Sequence, residues 1–477
     1  MTIKTNIPET KIPGSYTEYN YYAGPNGLPA NVQKILLIGD VSEEGSLEAN
    51  KPTAVYTEVE ALNLAGAGSV LHQMYQAAKN AWKYAQITLL RHSAVAGSKA
   101  LWKIAVENPE DKTGATAAGS VSVFYNKSRV SVGVAVGDSA ETVAANLVLA
   151  VNADTSAPFV ASADEGEVTL TAKSNGAYIS AAKGGVKVSV STKGTDIAVG
   201  EPDLTAGVGE VDIKSALKAA FPERYHLIAL PVCDADNLTL LKDHLMDAAA
   251  PLEQRGQRGI AAVVVDGVNA ATSIAKAKNC ERLHIAAVKN SIPSAAWEIS
   301  AALAAVFASN SQPNVPMNDA PISGLGIPDT NDKWSGEEQD GLLNGGVIPL
   351  IEEESTLCIV RAVTACSMKN GVRFEKLVDT GVIATLDYFR DSILAMHKIK
   401  YKNQVIHELL PDALNEDNIA TARQLEKAQL LRFIDRYESA FRVEESTDIP
   451  GRLICQIPAP VVPGLNQIYS TIDLYLN

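Results

Sequence analysis

The chain has 477 residues, 46% of them hydrophobic and 20% charged, with a formal net charge of −14 and a pI near 5.1. That length exceeds one ordinary hydrophobic core, so about two to four domains are expected, and the composition excludes wholesale disorder. The acidic balance argues against a broad basic surface for nucleic acid.

Residues 1–29 are rich in Pro, Gly, Asn and Tyr and have no helical period. Ser15–Tyr22 (SYTEYNYY) places strand-favouring residues between turn formers and reads as an extended arm. A first α/β unit follows, with a strand over Lys34–Ile38 ending at Gly39-Asp40, a helix over Ser69–Tyr84 and a strand over Gln86–Arg91. From Lys99 to Gly207 the composition shifts to Ala, Val, Gly, Ser and Thr. Alternating runs occur there at Ser120–Tyr125, Arg129–Val136, Glu167–Ala172 and Val186–Ser191. One helix interrupts them, capped by Ser139, with Glu141 in its first turn and Val143, Leu147 and Val151 at helical spacing. This stretch reads as a β-rich module inserted into the α/β domain.

The α/β alternation resumes at Val211. Strands are expected at Tyr225–Val232, Gly259–Asp266 and Arg282–Val288, and helices at Asp236–Arg255, Asn269–Lys278 and Ser294–Ser309. Such alternation implies a largely parallel sheet covered on both faces. A Pro/Gly/Asn/Asp-rich connection, Asn310–Asp332, leads to a short helix near Glu337–Leu343 and a strand over Thr356–Cys366. Helices are expected over Thr380–His397 and Thr421–Phe441, the second with an apolar stripe of Leu425, Leu430, Phe433, Ile434, Tyr437 and Phe441. The chain closes with a strand at Arg452–Ile457, a hinge at Pro458–Pro463 and a strand at Leu465–Leu476. In that last run Ile468, Ile472, Leu474 and Leu476 face one way, and Tyr469, Thr471, Asp473 and Tyr475 the other.

The expected fold class is thus α/β multidomain: an α/β sheet domain with an inserted β-rich module, an α+β C-terminal domain and extended arms at both ends. The expected divisions are an arm at 1–29, the α/β domain at 30–98 and 208–365, the module at 99–207, an inner C-terminal domain at 366–462 and an arm strand at 463–477.

Residues that carry chemistry are sparse. The five cysteines, Cys233, Cys280, Cys358, Cys366 and Cys455, form no C-x-x-C, which excludes a zinc ribbon or a disulfide framework and points to a reducing cytosol. The polar opening MTIKTNIPETKIPGSY has no apolar signal core, and no run approaches the roughly 20 apolar residues of a membrane helix. The expectation is a protein made and kept in the cytoplasm unless cell lysis releases it. The seven histidines are scattered, and no Walker sequence, dinucleotide fingerprint or G-x-S-x-G is present. Ala65–Val70 (AGAGSV) sets two glycines before a helix, but it has no lysine, so a plain helix entry is the simpler reading. The one enzyme-like feature is Cys233-Asp234-Ala235-Asp236-Asn237 after a strand, with Asp266 ending the next strand. Carboxylates at strand ends can hold a metal; Asp and Asn are equally the usual helix N-caps. A metal-dependent α/β enzyme at Asp234/Asp236/Asp266 is the competing reading.

The two ends have no obvious place in a closed domain. They either complete their own sheet or add strands to a neighbour's. Pro321–Cys366 decides how the rest is read. Pro321–Gly324, Leu342-Leu343-Asn344-Gly345-Gly346-Val347 and Val360-Arg361-Ala362-Val363-Thr364 follow one another in the order that they have in contractile phage tail sheath proteins. Ile12-Pro13-Gly14-Ser15-Tyr16 is similar to that family's opening, although Ser15 replaces an apolar residue and Ala365-Cys366 replaces a Thr and an aromatic. The inserted module resembles that of Mu-like sheaths.

The resemblance implies a non-enzymatic structural subunit without cofactor or metal. It implies stacked hexameric rings around a tail tube, contraction by rigid-body movement of subunits, and energy stored at assembly. It places the inter-subunit strands at Tyr16, Glu18, Tyr19, Tyr21, Ile468, Tyr469, Thr471, Ile472, Leu474 and Tyr475, an inner layer at Cys366–Asn477 with the N-terminal arm, and the module at Lys99–Gly207 outward. Arg423 and Lys427 are candidates for facing the tube. The implied partners are further copies of the chain, the tube, the baseplate and the tail terminator, with no direct nucleic-acid contact and no membrane insertion. The implied location is the virion tail, after assembly in the host cytoplasm. The sheath of a related contractile injection particle carries the same implications.

Overall fold

The computed structural model describes residues 28–366, 368–369, 372–373 and 375–475. The chain forms two compact units, a larger one of Asn31–Tyr388 with the C-terminal residues from Val461, and a smaller one built on Phe389–Pro460.

The larger unit opens with β1 (Lys34–Gly39), β2 (Thr53–Val55), α1 (Glu58–Ala65), α2 (Val70–Ala81) and β3 (Gln86–Arg91). The glycine pair of AGAGSV is the turn between the two helices. Gly68 has φ +66°, and a Cβ there would lie 2.0 Å from the Ala157 carbonyl oxygen. Ser69 caps α2 by accepting the His72 N–H. The turn thus serves chain geometry.

The inserted segment holds β4 (Lys99–Glu107), β5 (Gly119–Tyr125), β6 (Ser128–Val134), α3 (Ala140–Ala153), β7 (Phe159–Asp164), β8 (Glu167–Asn175), β9 (Val188–Lys193), β10 (Ala198–Val199) and β11 (Asp203–Thr205). β4, β7, β8, β10 and β11 form one sheet and β5, β6 and β9 another. α3, capped by Ser139 as expected, buries Val143, Leu147 and Val151. The alternation of β8 is fully expressed, with Val168, Leu170 and Ala172 buried. Trp102, Phe159 and Tyr125 meet at ring separations of 6.0 and 4.9 Å. The segment is pinned to the main sheet domain through the Tyr178–Trp297 edge contact, the Ala296 N–H to Gly184 oxygen bond, and Lys173 Nζ donating to the Ala67 oxygen.

The chain then continues through α4 (Lys214–Ala220), β12 (Leu227–Ala229), α5 (Ala235–Ala249), β13 (Arg258–Val264), α6 (Val268–Lys278), β14 (Leu283–Val288), α7 (Ala296–Ser309), β15 (Ala320–Ile322), α8 (Gly336–Asn344), β16 (Ile348–Glu353) and β17 (Thr356–Ile359). The main sheet has nine strands in the order β15-β17-β16-β14-β13-β12-β1-β3-β2. Its centre is parallel, the edge strands β2 and β15 are antiparallel to their neighbours, and β17 runs antiparallel between β15 and β16. Continuous apolar runs such as Ile35–Ile38 and Ile285–Val288 are buried on both faces, as a covered parallel sheet requires. α7 (AWEISAALAAVFAS) is buried along Ala296–Ala308, where small side chains let the sheet and α2 approach closely.

Two expectations fail here. The strand expected over Thr356–Cys366 ends at Ile359. Beyond it each peptide group finds a different partner: Val360 N–H bonds Pro349 O, Thr364 N–H bonds Val378 O and Ala365 N–H bonds Leu283 O. Within Thr356–Ile359, β17 pairs with β15 on one side and on the other with β16, across a two-residue turn at Glu354 and Ser355 with φ of 48° and 62°.

After β18 (Met368–Lys369) and β19 (Val372–Arg373), the long helix α9 (Thr380–Lys400) leads to α10 (Leu410–Lys427), α11 (Ile434–Tyr437), β20 (Arg442–Glu445) and β21 (Leu453–Gln456). The helix expected over Thr421–Phe441 is the second failure. α10 begins eleven residues earlier, with Pro411 in its first turn, and stops at Lys427. Left-handed backbone at Gln429 (φ 61°) and Phe433 (φ 59°) breaks the period. Leu425, Leu430, Ile434 and Phe441 are buried all the same, whereas Phe433 and Tyr437 are 46% and 44% exposed.

Candidate assembly interface

The C-terminal segment leaves the sheet domain at a small polar knot. Gly464 passes so close to Pro316 that a Cβ would lie 2.5 Å from its ring. Asn318 Nδ2 donates to Asn466 Oδ1 at 3.1 Å and to the Leu465 carbonyl at 3.5 Å. Asn466 Nδ2 donates to both Asp379 carboxylate oxygens at 3.3 and 3.4 Å. Asp379 is itself held by Arg361, whose Nε and Nη2 donate at 3.1 and 2.7 Å. The Val363–Asp379 backbone bridge fixes the position of that carboxylate.

Beyond Asn466 the segment has no strand partner in its own chain among the described residues. Within its described residues the one hydrogen bond is Tyr469 Oη donating to Gln467 Oε1 at 3.3 Å. Ile468, Ile472 and Leu474 are 77%, 94% and 80% exposed, and Tyr469 and Tyr475 are exposed as well. Isolated exposed apolar residues are ordinary on a surface; a periodic run of them on unpaired backbone is a template for pairing. In the smaller unit, β20 and β21 form a two-stranded sheet with exposed Ile454 and edge charges Glu444 and Glu445.

The other candidates lie elsewhere. Tyr16, Glu18, Tyr19 and Tyr21 fall outside the described residues, as does Leu476. Thr471 lies on the exposed arm. Arg423 is an exposed residue of α10 that pairs with Asp435 and Glu438, both at 3.1 Å, and Lys427 is exposed in the last turn of the same helix.

The enzyme-like cluster is used structurally. Asp234 caps α5, accepting from the Asn237 N–H at 2.9 Å and from its side-chain amide at 2.7 Å. Asp266 accepts from the Asn290 N–H and side chain at 3.0 and 2.7 Å, and Asp236 is exposed. Burial, with Asp234 beside it, pushes the Cys233 thiol up to about 12, far from the thiolate that a nucleophile needs. Among the described residues no three His, Cys, Asp or Glu side chains gather as a metal site, and no helix is long and apolar enough to cross a membrane. The five cysteines are free thiols.

Sequence reasoning missed two polar clusters. One is the Arg361–Asp379–Asn466 knot, whose members lie up to 105 positions apart. The other is a buried bidentate pair, Arg282 Nη1 to Asp387 Oδ2 at 2.7 Å and Nη2 to Oδ1 at 2.9 Å. Gly256 makes room for it, since a Cβ there would lie 2.3 Å from the Asp387 carboxyl carbon. Arg361 lies in the Val-Arg-x-Val-Thr segment, which was the one available signal.

Two family models match: the phage tail sheath protein central domain over residues 206–365 and the phage tail sheath C-terminal domain over residues 375–475. A Mu-like prophage FluMu tail sheath protein from Haemophilus influenzae is 25% identical over 467 residues, covering 94% of each chain. Among solved structures, a sheath tail protein from Desulfitobacterium hafniense has the same fold at 13% identity, with a TM-score of 0.50 over 90% of this chain and 93% of that one. One from Listeria innocua matches at 14% identity and a TM-score of 0.50, over 90% of this chain and 92% of its own. With sheath models over both its central and C-terminal parts and a sheath relative along nearly its whole length, the chain belongs to the phage tail sheath family and is similar to its Mu-like members.

Proposed function

We propose that this chain is the repeating subunit of a contractile tail sheath, polymerising as stacked hexameric rings around a tail tube and contracting to drive that tube through a host envelope. The observation that carries this reading is the C-terminal arm: anchored at Asn466, then apolar, exposed and, among the described residues, unpaired through Tyr475. Such a segment gains main-chain hydrogen bonds and buries Ile468, Ile472 and Leu474 by adding to a strand of another copy. The open edges of the β20–β21 hairpin are the acceptor favoured here, because a two-stranded sheet is marginal alone and gains from further strands. A head-to-tail link of this kind does not close on itself within a pair and generates rings or helices. Tyr16–Tyr21 are assigned the matching role at the other end.

Arg423 and Lys427 are the proposed tube-facing cations. The Arg423 pairs are surface pairs worth about 0–1 kcal/mol, so exchanging them for carboxylates of the tube costs little. The expected partners besides further copies are the tube, baseplate and terminator, in a virion tail assembled in the host cytoplasm. Energy is stored in the lattice at assembly, and no catalytic role is assigned to any residue. Deleting Gln467–Asn477 tests the proposal. The truncated chain should melt like the intact one and form no tubes by negative-stain microscopy; tubes of normal length from the truncated chain would refute it.

A further inference from the structure

We infer that Arg361, Asp379, Asn318 and Asn466 form a clamp that sets where the arm begins and in which direction it leaves; the inference rests on the arm-exchange reading above. Arg361 is a positioning residue in it. Its guanidinium holds the Asp379 carboxylate, and that carboxylate accepts both hydrogen bonds from the Asn466 amide. Asn318 completes the clamp from the loop before edge strand β15, bonding the Asn466 side chain and the Leu465 carbonyl. Gly464 is pressed against Pro316 just before the arm departs. Every other residue of the arm from Gln467 to Tyr475 lacks a comparable hold.

The physical consequence is a shorter and aimed tether. Eleven residues follow Asn466, giving a reach of about 36 Å at roughly 3.3 Å per residue. Without the clamp the free segment would begin near Val461, and its seventeen residues would reach about 56 Å. Effective concentration falls roughly as the −3/2 power of tether length, so length alone costs about twofold. Loss of direction adds to it, because six further residues must then be ordered each time an arm docks. The clamp also explains why the arginine of the Val-Arg-x-Val-Thr segment lies outside the strand expected for it: β17 ends at Ile359 so that Arg361 can reach Asp379.

The test compares three full-length variants, Asn466→Leu, Asn318→Ala and Arg361→Lys, with the intact chain and with the Gln467–Asn477 deletion. Monomer melting is followed by circular dichroism, and the threshold concentration for tubes by sedimentation and microscopy. The expected result for Asn466→Leu is an unchanged melting transition and a threshold raised about tenfold, with smaller rises for Asn318→Ala and Arg361→Lys. If Asn466→Leu fails to fold, the two milder variants carry the test. Wild-type thresholds in the folded variants, with no tubes from the deletion, would overturn the clamp and leave the arm-exchange reading standing. Normal tubes from the deletion would overturn both.

Discussion

Ile472 is the side chain whose loss separates a role in assembly from a role in folding most cleanly. It is 94% exposed in the single chain, so Ile472→Ala should change monomer stability by no more than about 0.5 kcal/mol, as surface substitutions do. If the arm docks with its even-numbered face buried, the same change removes about three methylene equivalents from an interface. At about 0.8 kcal/mol each, that is about 2.4 kcal/mol per link, or roughly 50-fold in link affinity. Ile472→Val removes about one and should cost roughly fourfold. The assay is the tube threshold by sedimentation, set against a urea unfolding curve of the monomer. A graded loss of assembly at constant urea midpoint supports the reasoning. A lowered midpoint with unchanged assembly would show that Ile472 packs on its own subunit, and the arm would have to be reassigned.

Further expectations concern the larger unit. Asp387→Ala strands a buried Arg282 and should cost about 3–5 kcal/mol in urea unfolding. Gly256→Ala, whose Cβ would intrude on the same carboxylate, should cost a similar amount alone and much less in the Asp387→Ala background; additive costs would show that the two sites are independent. Burial, with Arg224 and Arg258 nearby, holds His226 down to about 3, and burial with Arg258 does the same to His284. Both are neutral in the fold, where His226 Nδ1 accepts the Lys34 N–H and His284 Nδ1 donates to the Val363 oxygen. Unfolded histidine titrates near 6.5. Their contribution is therefore complete above about pH 6.5 and lost as pH falls toward 3, at about 1.4 kcal/mol per pH unit for each. Urea midpoints at pH 7.5 and 5.0 should diverge less in His226→Gln than in the wild type, and equal divergence would refute the assignment.

The sequence by itself determined those features in which one local force acts alone. The parallel strands around Ile35–Ile38 and Ile285–Val288 were legible because burial on both faces demands unbroken apolar runs. The caps at Ser139 and Asp234 were legible because a hydroxyl or carboxylate before an apolar period satisfies the free amides of a first turn. The C-terminal arm stood out because its alternation had nowhere local to go. Family membership was legible from the order of Pro321–Gly324, Leu342–Val347 and Val360–Thr364, none of which is diagnostic alone.

Tertiary structure decided what depends on distant partners. Val360–Ala365 has strand-like composition, yet its peptide groups bond to β14, β16 and the Val378 region, so the strand stops at Ile359. The stripe from Leu425 to Phe441 is apolar at helical spacing, but left-handed turns at Gln429 and Phe433 bring Leu425, Leu430, Ile434 and Phe441 to the interior without a continuous helix and leave Phe433 and Tyr437 exposed. The Arg282–Asp387 pair and the Asp379–Asn466 clamp join residues 105 and 87 positions apart. A charge or an amide is spent only where folding brings its counterpart within hydrogen-bond reach, and no local pattern records that meeting.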